Sequence, residues 1–99
     1  MGRKQITWTT KALQDRTAIY EYWYQRTRSI DYPIQLEALF KSALRILIEY
    51  PNTGVLFNEK RNIRFVIIKY YRLYYTLTDN EFAVLRIWDT RRNENSFTV

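Results

Sequence analysis

Three strand-like runs fill the last third of the chain, Ile63 to Ile68, Arg72 to Thr78 and Phe82 to Trp88, joined only by Lys69-Tyr70-Tyr71 and by Asp79-Asn80-Glu81. Links this short cannot carry a chain back to the start of a parallel neighbour, which takes a crossover of about a dozen residues or more. They force an antiparallel meander. The turn length then sets the register: a two-residue turn at Asp79-Asn80 would place Arg86 opposite Leu73, and a three-residue turn through Glu81 places it opposite Tyr74. The second register sorts Leu73, Tyr75, Leu77, Ala83, Leu85 and Ile87 onto a buried face and Arg72, Tyr74, Thr76, Val84, Arg86 and Trp88 onto the other. One face of such a sheet is greasy and drives folding. The other is basic and aromatic and requires a partner.

The first half supplies what covers the greasy face. Ile6 and Trp8 alternate with Gln5, Thr7 and Thr9, the pattern of a short half-buried strand. Thr10 is the expected helix cap. From Lys11 to about Arg26 the apolar residues Ala12, Leu13, Ile19, Tyr20 and Trp23 follow helical spacing, and Arg26 and Arg28 suit a helix carboxyl end. A break from Thr27 to Asp31 leads into a second amphipathic helix, in which Pro33 is tolerated because the first turn has no intrahelical partners to lose. Pro51-Asn52-Thr53-Gly54 ends it. The predicted architecture is α+β over residues 1–99 as one domain: a short strand, an antiparallel helical hairpin on one face of a twisted, mainly antiparallel sheet, in the order β-α-α-β-β-β. A flexible tail is expected from about 93 to 99.

Charge and missing residue types narrow the chemistry. Lys and Arg number 16 against 10 acidic residues, a net charge of +6. The excess is mainly Arg, whose planar fork pairs with phosphate or carboxylate, so nucleic acid or an acidic protein is the implied partner. The chain has no Cys and no His. That excludes disulfides, thiol nucleophiles, imidazole-dependent triads and the usual zinc ligand sets. Asp15, Glu21, Glu37, Glu49 and Glu59 lack metal-ligand spacing, and the only glycines, Gly2 and Gly54, make no phosphate loop, so neither metal nor cofactor is expected. Met1-Gly2-Arg3-Lys4 is not followed by an apolar signal core, and cytoplasmic residence is the expectation.

The candidate site residues follow from the outward face. Arg72 and Arg86 would hold phosphate or carboxylate, and Tyr74 and Trp88 would offer stacking surfaces. Arg64 lies on the neighbouring strand, and Arg91 and Arg92 close the last one. A structural alternative stands beside this reading: Tyr74 and Trp88 could cover a small second core under the tail, with Arg86 paired to Asp89 or Glu81.

The order of strand, two helices, Pro51-x-x-Gly54, Arg72-Leu73-Tyr74-Tyr75 and a closing Val84-Leu85-Arg86-Ile87-Trp88-Asp89-Thr90-Arg91-Arg92 resembles the RelE/ParE superfamily of bacterial type II toxin–antitoxin systems, which includes plasmid stabilisation proteins. The resemblance spans roughly residues 3 to 95. It implies a growth-inhibiting toxin neutralised by a cognate, acidic antitoxin in a hetero-oligomer, and it offers two activities. RelE-like members cleave messenger RNA in the ribosome without a metal; ParE-like members inhibit DNA gyrase. For the first, Arg64, Arg72 and Arg86 match the basic sheet positions, with Tyr74 and Lys69 as the remaining catalytic candidates. No Tyr follows Tyr75, however, and Asp89 stands where many relatives carry His. Proton transfer would fall to Tyr74, Lys69, Asp89 or Glu94, and a missing acid or base costs a factor of about 100 to 10,000. Gyrase inhibition by binding is therefore favoured, with Arg64, Arg72, Tyr74, Arg86, Trp88, Arg91 and Arg92 as the target- and antitoxin-binding set. The ribonuclease is the alternative, and a non-toxic antitoxin-binding relic is the third reading.

Overall fold

The computed structural model describes residues 4–92 and 97–99. Strand β1 (Gln5–Trp8) leads into helix α1 (Thr10–Thr27) and helix α2 (Asp31–Glu49), then a 3-10 turn (Pro51–Thr53) and strands β2 (Val55–Asn58), β3 (Ile63–Ile68), β4 (Tyr71–Leu77) and β5 (Glu81–Asp89). The strands make one sheet in the order β1-β5-β4-β3-β2. β2 to β5 run antiparallel to their neighbours, and β1 joins β5 in parallel. The expected α+β class holds, with one strand more than the sequence pattern displays.

The cap of α1 is Thr9 and not Thr10. The Thr9 side chain accepts the Ala12 N–H at 3.1 Å, which satisfies one of the donors that a helix start leaves over. α1 ends at Arg28, whose left-handed φ of 56° lets its N–H reach the Tyr24 carbonyl at 2.7 Å. Both helices bury an apolar stripe on the same side of the sheet. Ala12 and Ile19 of α1 and Leu36, Phe40, Leu44 and Leu47 of α2 meet Leu73, Tyr75, Phe82, Val84 and Ile87 of the sheet.

Tyr74 does pair with Arg86, but not through the expected three-residue turn. Leu77–Phe82, Thr76–Ala83 and Tyr75–Val84 keep the register of the two-residue turn at Asp79-Asn80, where the Thr78 N–H donates to the Glu81 carbonyl at 2.9 Å, and an extra residue in β5 shifts Arg86 from Leu73 to Tyr74. That residue is a bulge, because Tyr74–Arg86 is followed by Tyr75–Val84, which leaves Leu85 without an opposite residue. From the turn up to the bulge every side chain of β5 swaps faces relative to the expectation. Val84 enters the helix-side core, fully buried, while Leu85 turns to the opposite face and joins Ile63, Tyr74 and Trp88 there. Ala83, paired with Thr76, turns the same way. The unpredicted β2 is an edge strand whose Val55, Leu56 and Phe57 are all exposed, so it carries no alternation of burial.

The stop after α2 is locked by Tyr75. Its hydroxyl donates to the Pro51 carbonyl at 2.7 Å and accepts the Gly54 N–H at 3.0 Å, while its ring stacks on Phe82 at 4.7 Å. Burial pushes the pKa of this hydroxyl up. Gly54 has an ordinary extended backbone, and its lack of a side chain matters for space: a methyl there would lie 2.9 Å from the Phe65 carbonyl oxygen and against the Tyr75 hydroxyl. Gly54→Ala is expected to cost about 1–3 kcal/mol through overpacking. Urea denaturation checks this, and combining it with Tyr75→Phe, which removes the obstructing oxygen, should give less than the sum of the two losses.

Candidate functional site

The site is organised by the outer edge of β5. β1 pairs with that edge only as far as Trp8 opposite Val84. A β-edge continuing past its partner leaves main-chain groups that need other acceptors and donors. The start of α1 provides them. Thr9 donates its N–H to the Val84 carbonyl at 3.0 Å and its hydroxyl to the Leu85 carbonyl at 2.8 Å, so the residue that caps the helix also holds the bulge. Further along α1, Asp15 accepts the Ile87 N–H at 3.0 Å.

The same Asp15 carboxylate binds Arg86 through Nε at 2.8 Å and Nη2 at 3.1 Å, a two-pronged pair with each side chain only 13% exposed. Arg86 also donates to the Thr98 carbonyl. Arg86 is expected from the sequence as an open ligand for phosphate or carboxylate, with Asp89 or Glu81 as partners only in the structural alternative; its partner is instead a residue 71 positions away, on α1 alongside the edge of β5 that β1 leaves unpaired. Arg86 is neutralised within the fold and is not an open cation.

The other predicted residues separate into distinct places. Tyr74 and Trp88 are 1% and 4% exposed, and with Ile63 they form a second apolar cluster flanked by Phe65, Leu85, Phe97 and Val99. In this structure their rings are core, not open stacking platforms, and residues 97–99, expected as a loose end, pack against them. Residues 93–96 of the expected tail, with Glu94, lie outside the described residues. Arg72 lies over the Phe65 ring at 4.7 Å, with Nη1 3.5 Å from the Tyr74 hydroxyl. Arg64 donates to the Gly54 carbonyl at 2.7 Å and so staples the turn after α2. Lys69 sits exposed in the β3–β4 turn with a left-handed φ of 57°.

Arg91 and Arg92 remain exposed at the end of β5. Arg91 binds the Asp89 carboxylate at 2.8 and 3.0 Å and lies over the Tyr70 ring at 4.6 Å; Arg92 lies over Trp88 at 4.5 Å. Both border a groove of about 550 Å³ between α1 and β5, floored by Ala18, Ile19, Tyr71 and Ile87 and rimmed by Asp15, Tyr22 and Asp89. Sequence reasoning missed the α1 side of this groove. The signal was available as Asp15, Ala18, Ile19 and Tyr22, which share one helical face by their spacing of three, four and seven. The shifted groups move away from neutrality. Hydrogen bonding to Arg91 holds Asp89 below the ordinary carboxylate range, burial raises Tyr71 despite the Trp23 indole donating to it at 2.7 Å, and burial pushes Tyr20 up to about 12.

A family profile described as the ParE toxin of type II toxin–antitoxin systems, parDE, matches residues 6–94. The chain belongs to the ParE toxin family. Among solved structures, that of the chromosomal ParDE toxin–antitoxin system from P. aeruginosa is similar to it in fold, with a TM-score of 0.68 at 20% identity over 86% of this chain and 94% of that one. No curated protein matches the sequence. This ParE-family chain is the toxin component of a type II system, and its family implies an antitoxin partner. Among the described residues no helix is long and apolar enough to cross a membrane.

Because Asp15 satisfies both a strand N–H and a shielded guanidinium, Asp15→Ala is expected to cost about 3 kcal/mol, measured by thermal or urea denaturation. Arg86→Met in that background should recover part of the loss by removing the unpaired charge. The Asp89–Arg91 pair acts on pH dependence instead. Asp89 has its folded pKa depressed, so its contribution is present above its ordinary value of 3.8 and is lost as the pH falls through the lower folded value. Asp89→Asn should remove that component from the acid limb of a stability–pH curve.

Proposed function

We propose that this ParE-family toxin arrests growth by binding DNA gyrase and blocking its turnover, with the Arg91–Arg92 end of β5 and the adjoining α1 groove as the contact surface. One observation carries the reading: the Arg86 guanidinium is already held by Asp15, beside a fully buried Tyr74. A ribonuclease needs an acid or base within reach of the ribose 2′-hydroxyl and a free cation at the phosphate. The absence of His and the outward-running pKa shifts of Asp89 and Tyr71 weaken that route further. Inhibition by binding needs no proton transfer.

The groove suits such a role, since an apolar floor beside exposed guanidinium groups offers both a hydrophobic anchor and charge complementarity. The net charge of +6 also favours fast, electrostatically steered capture by an acidic antitoxin. Cytoplasmic residence belongs to the same proposal.

Purified toxin assayed against gyrase supercoiling and against ribosome-dependent transcript cleavage, side by side, decides the target. Inhibited supercoiling with intact transcripts is expected. Cleavage without gyrase inhibition would establish the ribonuclease, and unimpaired growth on expression without antitoxin would establish a non-toxic relic. Replacing Arg91 and Arg92 together by Ala should weaken gyrase inhibition by about tenfold or more while leaving the melting temperature within a few degrees, because exposed ion pairs add little stability.

A further inference from the structure

Where α1 and α2 meet the edge strand β1, a second groove of about 420 Å³ opens, lined by the apolar Ile6, Trp8 and Leu44 and by the basic Arg16, Lys41 and Arg45. Three cations from two helices thus converge on one apolar patch. Leu44 is buried and Ile6 and Trp8 are partly so, while Lys41 and Arg45 stand exposed one turn apart on α2. The Arg16 guanidinium lies over the Trp8 ring at 4.5 Å, and Arg45 Nη2 donates to the Ser42 hydroxyl at 3.2 Å. Lys41 pairs with Glu37 at 3.2 Å, but among the described residues no carboxylate is ion-paired with Arg16 or Arg45. In this they differ from Arg86 and Arg91, whose charges are met within the fold.

The spacing along α2 bounds the ligand. Glu37, Lys41, Arg45 and Glu49 recur every fourth residue, so a carboxylate stands at either end of the two cations. A nucleic-acid backbone running along the helix would meet both carboxylates, whereas a small anion seated between them meets neither. The volume falls within the range of about 300–1,000 Å³ that encloses small organic ligands. An apolar lining beside a guanidinium plane accepts a flat heterocycle, and Lys and Arg together accept a phosphate chain. We infer that this groove binds a nucleoside triphosphate, its base packed against Ile6, Trp8 and the Arg16 plane and its phosphates held by Lys41 and Arg45. The inference shares no residue with the groove assigned to gyrase and stands apart from that reading.

ATP, inorganic triphosphate and adenosine are each titrated calorimetrically into the native chain at about 0.1 M salt, where long-range attraction to the net charge is largely screened. Saturable one-to-one binding of ATP is expected, with triphosphate at least about tenfold weaker because it lacks the base, and adenosine weaker still because it lacks the charge. Lys41→Ala combined with Arg45→Ala should lower ATP affinity by about tenfold or more, while Arg91→Ala combined with Arg92→Ala leaves it unchanged. Should the first pair of substitutions fail to fold, Arg45→Gln alone is expected to cost about fivefold. ATP binding that does not saturate, equal affinity for ATP and triphosphate, a loss that follows Arg91 and Arg92 in place of Lys41 and Arg45, or an Arg45→Gln chain that binds ATP as tightly as the native one would overturn the proposal.

Discussion

The edge of β5 beyond Val84 is the constraint on which the rest of this molecule turns. β1 is too short to pair with all of it, and the main-chain groups of Val84, Leu85 and Ile87 would be left without protein partners. The first turns of α1 supply them through Thr9 and Asp15, so one short segment caps a helix, secures a bulge and closes a sheet edge. The cost of leaving such groups buried and unpaired, about 1–3 kcal/mol each, is large against the stability of a domain this size. The position of α1 on the sheet is therefore set by polar as well as apolar contacts.

That arrangement redistributes the positive charge. A basic sheet suggests a continuous cationic surface, yet Arg86 is held by a carboxylate from α1, Arg64 by the carbonyl of Gly54, and Arg72 lies over an aromatic ring. Guanidinium groups near a protein surface find partners wherever geometry permits, because an unpaired, half-buried cation is expensive. The exposed arginines of the strand end, Arg91 and Arg92, then flank an apolar groove. The proposed inhibition by contact rests on this combination.

Much of this was legible from residue order. The meander, the helical pair and the stop at Pro51 to Gly54 follow from turn length and apolar periodicity, whereas the opposition of Tyr74 to Arg86, expected from a three-residue turn, is produced by the bulge beside a two-residue turn. The bulge was not legible, since a single extra residue leaves the composition of β5 unchanged and only its placement decides whether Val84 or Leu85 faces the helices. β2 was missed because an edge strand exposed on both faces has no period of two to detect. Thr9 and Thr10 are equally good caps by type, and only the backbone of Thr9 stands where its hydroxyl can serve Ala12 and Leu85 together. Two aromatic residues on the outward face, Tyr74 and Trp88, read equally as binding platforms or as core, and the packing of Phe97 against them selects core.

By itself the sequence determined the α+β class, the succession of elements, the excess of arginine and the lack of any imidazole or thiol, because these depend on local periodicity and on composition. Tertiary structure alone decided which arginines are already occupied, since the partner of Arg86 lies 71 residues away on a helix that follows β1, the strand paired in parallel with β5. Charge is a property of a residue. Its availability is a property of whatever the fold brings within hydrogen-bonding distance.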